Sequence, residues 1–211
     1  GAESPEVLIS SVNAPRGRAL ADWVQARTGV RPRWAGTDFE VPIERALDDD
    51  STVGQDRLLC ALAAFNRLGQ ACAVVDAGTA ITVDFVDGTG VFQGGLIAPG
   101  LRMMLRSLHG GTAALPALDY AAPDPARGAF GKDTAHAMLL GVTTAARGLV
   151  RLAVENFAES YGAYPAVIGT GGDAATLFEG DPLVERIVPE LQLLGLRDSL
   201  GALLADDERA G

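Results

Sequence analysis

Three short stretches carry side chains whose types and spacing could do chemistry. In VVDAGTAITVDF (74–85) an apolar run leads into D-A-G-T, then alternation of apolar and polar residues leads out. Gly78 lets backbone approach a ligand, the N–H groups of such a turn can face a phosphate, and Thr79 adds a hydroxyl. Asp76 cannot hold a phosphate by its own charge, so it makes sense with a cation between them. Asp and Gly equally suit a plain hairpin turn. In VGQDRLL (53–59), Asp56 and Arg57 fall in the first turn of an expected helix. A carboxylate there is favoured by the helix dipole and an arginine is not. Asp56 could take a proton from a hydroxyl while Arg57 grips a carboxylate in fork geometry, or both could be ordinary surface charges. In IGTGGDAATLF (168–178), glycines lie between an expected strand and a helix start, where amides can meet phosphate or glycines can make room for a flat ring.

Other chemistries find no support. The 168–178 glycines miss the G-x-G-x-x-G spacing of a dinucleotide fold, and GKDT (131–134) lacks the preceding glycine of a P-loop and has Asp133 where Ser or Thr is needed. His109 and His136 are too sparse for a zinc site. His136 reads as structural, whereas His109 stands beside a Gly-rich loop. No G-x-S-x-G occurs.

These stretches need elements to hold them. Glu6 to Val12 reads as a buried strand, and Arg18 to Thr28 as a helix stopped by Gly29. The segment 31–43 contains a second strand or edge. After DDDST (48–52), a helix with Leu58, Leu59, Leu62, Ala63 and Phe65 on one face runs to Gly69. ACAVVDA and AITVDFV are strands, DGTG (87–90) is a hairpin turn, and VFQGGLIAPG is a third strand. LRMMLRSLH is a short amphipathic helix, 110–131 is loop, and 133–161 is a long helix. A strand, glycine turn and helix follow, then a final strand and helix. Mixed strands flanked by helices make an α/β fold.

Composition limits the partners. The 211 residues carry a formal net charge of −10, which opposes sequence-independent nucleic-acid binding. The apolar runs are short and interrupted, so no segment is expected to span a bilayer, and the start lacks a signal-peptide layout. Cys60 and Cys72 read as reduced core residues, and the compartment expected is the cytoplasm.

In order along the chain, VGQDR, VVDAGTAITVDF, FQGGLIAPGLRMMLRSLHGGTAALP, GKDTAHAMLLGV, IGTGGDA and PELQLLGL resemble the type III pantothenate kinases. The likeness runs from about Val7 to Leu196, and six motifs in sequence order make it specific. It implies an RNase H-like, actin/hexokinase-like fold with two halves around a nucleotide cleft. The activity implied is phosphorylation of pantothenate from ATP, the first step of coenzyme A biosynthesis, with Mg2+ and a monovalent cation (K+ or NH4+). A homodimer is implied as well.

Carried over by motif, Gly54, Gln55 and Arg57 bind substrate and Asp56 is the proton acceptor. Asp76 becomes a ligand of the monovalent cation, while Gly78 and Thr79 contact ATP. Thr134 touches pantothenate, with His109 and Thr112 of H-x-x-T-A-x-L-P lining the same pocket. Gly169, Gly171 and Gly172 lie near adenosine. Phosphoryl transfer asks mainly for positioning and charge stabilisation, which these parts would supply.

Two departures qualify the expectation. The family's opening D-x-G-N-T hairpin has no counterpart, so the first half is expected to be truncated by about 30–50 residues at ordinary element lengths. Residues 1–70 would be the remnant of that half and 71–211 the second half. The family's tyrosine before G-x-D-R is also missing from RALDDDST (45–52). A kinase-derived regulatory protein that binds nucleotide or pantothenate is the alternative reading, and a kinase for another small alcohol is a third.

Overall fold

The computed structural model describes residues 6–210, with side chains through position 204. The chain opens with β1 (Leu8–Ile9), α1 (Ala14–Thr28) and β2 (Arg33–Trp34), the two short strands pairing in parallel as a separate sheet. α1 begins four residues earlier than the apolar pattern suggests. The Asn13 side chain caps it by accepting from the Arg16 N–H at 3.1 Å, and a proline is tolerated in a first turn, where N–H groups lack helical partners. Gly29, at φ 72°, ends it as expected.

α2 (Gln55–Leu68) stops at Gly69 in the left-handed region, and Leu58 to Ala64 are all buried. Then come β3 (Cys72–Ala77), β4 (Ala80–Val86) and β5 (Phe92–Pro99), the expected hairpin trio. α3 (Leu101–Gly110), a loop-rich stretch and α4 (Thr134–Tyr161) follow. β6 (Ala166–Thr170), α5 (Ala174–Phe178), β7 (Arg186–Ile187) and α6 (Leu191–Ala210) complete the order.

The main sheet is ordered β5-β4-β3-β6-β7, with β4 antiparallel to both neighbours and β3, β6 and β7 parallel. Helices cover both faces. A meander followed by parallel strands, packed this way, is the RNase H-like unit of the actin/hexokinase-like fold. β3 lies at its centre, and its near-continuous apolar sequence reflects burial on both sides.

Alternation along β3 and β4 sorts side chains to two cores. Ala73, Val75, Ala77, Ile81 and Val83 meet Met138, Val142, Ala146 and Val150 of α4 and Leu105 of α3. Cys72, Val74 and Val86 meet Leu58, Leu59 and Leu62 of α2. Each fully buried Leu, Ile or Val of this kind contributes roughly 1.5–3 kcal/mol. α6 closes over α2 at Gly195, where a Cβ would lie 2.2 Å from the Leu59 carbonyl oxygen. Cys60 and Cys72 are buried and unbonded to each other.

One expectation from composition is corrected. α4, at 28 residues and a mean hydropathy of 1.4 over its most apolar window, is long and apolar enough to cross a membrane. Its apolar character has a second source in the stripe it buries against β3 and β4.

Candidate active site

The site is assembled from the start of α2 and the β3–β4 face beneath it. Gly54 precedes the helix without a side-chain cap, and a Cβ there would lie 2.4 Å from Asp56 Oδ1. Glycine therefore leaves room for the Asp56 carboxylate to fold back and accept the Arg57 N–H at 3.0 Å. Gln55 packs against Gly36, whose φ of +80° and missing Cβ admit the amide side chain.

Asp76 belongs to β3, opposite Thr82 of β4, and not to the turn itself, which comprises Gly78 and Thr79. Gly78 donates to the Ala80 carbonyl at 2.9 Å. Burial, then the negative charges of Asp56 and Asp84, push the Asp76 carboxyl above its ordinary range. Among the described residues no hydrogen bond or ion pair engages its side chain. Asp76, Asp56 and Asp84 add to the burial that pushes up the Cys60 thiol.

Asp84 was not singled out by sequence. It lies on β4, 1% exposed, and its carboxylate accepts from Arg57 Nε at 3.0 and 3.2 Å and from Arg57 Nη2. Thr82 donates to Asp84 Oδ2 at 3.2 Å. Burial pushes the Asp84 carboxyl up, opposed by Arg57 and Thr82. The fork of Arg57 is thus filled from within the protein, with its guanidinium carbon 5.6 Å from the centre of the Phe92 ring.

The two glycine turns are neighbours because β3 and β6 are parallel and in register, with Asp76 opposite Thr170. Gly171, at φ +90°, closes against Asp76, and the Asp173 N–H donates to the Ala77 carbonyl at 2.8 Å. Gly172 faces open space. Gly169 lies inside β6, where a Cβ would touch Val184 and Ile187, so its position serves packing with β7 and not the turn. Gly100 presses on the Gly78–Thr79 turn from the other side and donates to the Thr79 carbonyl at 3.1 Å. Arg102 of α3 clamps the buried Asp173 with Nη1 at 2.8 and 2.7 Å from its two oxygens.

The remaining candidates lie at the end of α3, in the loop after it and at the start of α4. His109 Nδ1 lies 2.7 Å from the Leu115 carbonyl, and the Thr112 hydroxyl donates to the Leu108 carbonyl at 2.8 Å and accepts the Leu115 N–H at 3.3 Å. Both hold the loop that leaves α3. Thr134 is the exposed first residue of α4, behind the capping Asp133. Among the described residues no hydrogen bond or ion pair joins this group to Asp56 or Asp76. A cavity of about 490 Å³ on the other sheet face, lined by Phe85, Gln93, Phe157 and Tyr161, contains none of the candidate residues.

The signal for Asp84 was a charge midway along the apolar strand AITVDFV. Its partner, Arg57, lies 27 positions away, and only the packing of α2 on the sheet reveals the pairing. Arg102 and Asp173 pair across 71 positions and had no local signal.

A family model described as type III pantothenate kinase matches residues 1–156. A type III pantothenate kinase of Treponema pallidum (strain Nichols) is 37% identical over 195 residues, covering 90% of this chain and 69% of the relative. One from Akkermansia muciniphila is 40% identical over 202 residues, covering 95% and 80%. One from Rhodopirellula baltica is 45% identical over 148 residues, covering 69% of this chain and 52% of the relative. The crystal structure of a conserved Campylobacter jejuni protein, described in terms of the Baf family of transcriptional activators, superposes with a TM-score of 0.64 at 19% identity. It covers 96% of this chain and 85% of that one, and the likeness concerns fold. The chain belongs to the type III pantothenate kinase family, kinases that transfer phosphate to pantothenate in coenzyme A biosynthesis.

Proposed function

We propose that the cleft between the start of α2 and the two glycine turns is where this chain phosphorylates pantothenate from ATP. One observation supports the reading: Arg57, next to Asp56, is bound to Asp84 of β4, two positions along from Thr82, the register partner of Asp76, which brings the expected base toward the strand that leads into the expected phosphate turn. In this reading Asp56 accepts the proton of the primary hydroxyl of pantothenate. The hydroxyl oxygen forms its bond to the γ-phosphorus as the bond to the β–γ bridging oxygen breaks, releasing ADP. Asp56 stands half-buried in the first turn of α2, with one carboxylate oxygen held by the Arg57 N–H, a fixed position from which a base can meet a hydroxyl.

Thr79 offers its amide and hydroxyl to the phosphates, Gly78 lets the turn come close to them, and Gly172, which faces open space, leaves room for the nucleoside. Gly54, Gln55, Arg57, His109, Thr112 and Thr134 are assigned to pantothenate. A monovalent cation fits Asp76, a half-buried carboxylate with negative neighbours and no protein partner among the described residues. When bound, it and Mg2+ would neutralise phosphate charge. We further assign residues 1–70 to the first RNase H-like half and 71–211 to the second, and the protein to a cytoplasmic homodimer acting without nucleic acid or membrane.

Pantothenate-dependent release of ADP, measured with ATP, Mg2+ and K+, tests the reading. Turnover that needs all four supports it. Pantothenate binding without turnover would favour instead a regulatory protein using the same pocket, a reading that the kinase relatives do not favour.

A further inference from the structure

We propose that Asp84 is a positioning residue for the substrate side of the cleft, acting through Arg57. The inference rests on the assignment of Arg57 to pantothenate. A flexible arginine beside the transfer site would sample many directions, and each would have to be given up on binding substrate. Here the side chain is held by two partners and the backbone beside it by a third. Asp84 receives Nε and Nη2, the Phe92 ring lies under the guanidinium, and the backbone N–H of Arg57 is held by Asp56 Oδ1. Nη1 is left without a protein partner among the described residues, and it is the donor a substrate carboxylate could take.

The carboxylate that does the holding is itself fixed. Asp84 is buried, Thr82 donates to its Oδ2, and Gly95 of β5 lies across from it in the sheet. A Cβ at position 95 would lie 2.8 Å from Asp84 Oδ1 and 2.0 Å from the Val83 carbonyl oxygen, so the strand pair can enclose this carboxylate only with glycine opposite. The arrangement is one of charge, shape and hydrogen bonding directed at a single guanidinium. It also links the two halves of the cleft, because Arg57 adjoins Asp56 in α2 while Asp84 shares β4 with the strand that leaves the Gly78–Thr79 turn.

Steady-state kinetics of the full-length protein, with Arg57→Gln, Asp84→Asn and the double variant, test the proposal. Arg57→Gln is expected to raise the pantothenate KM by about 10–100-fold, the scale of a lost charge-assisted hydrogen bond. Asp84→Asn is expected to raise it by about tenfold with the ATP KM unchanged, and to add nothing in the Arg57→Gln background. A purely structural Asp84 would lower active enzyme or move both KM values. An unchanged pantothenate KM in Asp84→Asn, or an equal further rise in the double variant, overturns the proposal while leaving the role of Arg57 intact. An unchanged KM in Arg57→Gln removes that role and the proposal with it. Should Asp84→Asn fail to fold, Thr82→Val removes only the supporting hydroxyl. A rise of about two- to fivefold in pantothenate KM, absent in the Arg57→Gln background, is then expected, and no rise overturns the proposal.

Discussion

A Cβ on Gly171 would lie 2.3 Å from Oδ1 of Asp76 and 2.5 Å from the Ala77 carbonyl oxygen. The turn after β6 therefore closes on the turn after β3 only because position 171 carries hydrogen, and its φ of +90° reinforces the requirement. Gly171→Ala is expected to cost about 1–3 kcal/mol through backbone strain alone and to displace Asp76. Denaturant melts check the stability, and the K+ dependence of ADP release checks the displacement. Gly172, which faces open space, is the control: Ala there should leave stability within about 1 kcal/mol.

Asp76 is expected to make stability depend on pH and, in its proposed role, on a bound cation. Its folded pKa is raised, first by burial and then by Asp56 and Asp84. Between the ordinary carboxylate value and that raised value, the native state binds more protons than the unfolded chain. Stability without cation therefore falls as pH rises through that window. Asp76→Asn is expected to flatten this dependence and to raise Tm at neutral pH without cation by about 2–4 °C, the scale of 1 kcal/mol for a chain of this size. K+ titrations followed by Tm should show stabilisation of the parent protein and none of the variant.

His136 shows a cost of another kind. It is 3% exposed in the first turn of α4, and among the described residues neither ring nitrogen has a hydrogen-bond partner. A buried polar group without partners costs about 1–3 kcal/mol. His136→Leu removes that cost and improves helix propensity, so thermal melts should show unchanged or higher Tm, by about 2–4 °C for each kcal/mol recovered. A clear fall in Tm would mean the imidazole has a partner in solution.

The sequence was most readable where structure is local. The hairpin trio, the stop of α2 at Gly69 and the span of α4 follow from alternation, glycine and apolar periodicity. The first strand was less so: only Leu8–Ile9 of the expected 6–12 pairs, because its partner β2 offers two residues. At the site, Asp56 and the Gly78–Thr79 turn were visible as motifs. Asp84 was not, since a strand with one face toward solvent also places a polar residue at alternate positions. What distinguishes it is a guanidinium delivered by another element. Asp173 was hidden for the same reason, its partner Arg102 lying on α3.

The central claim is that the carboxylate at position 56 removes the proton from the attacking alcohol. Single-turnover phosphorylation of pantothenate by Asp56→Asn, with ATP, Mg2+ and K+ saturating, tests it most directly. The expected result is a rate lowered by about 10²–10⁴-fold, with pantothenate binding measured by calorimetry held within about threefold of the parent. A rate within about tenfold of the parent would contradict the assignment, because loss of a general base at the reacting hydroxyl costs more than that.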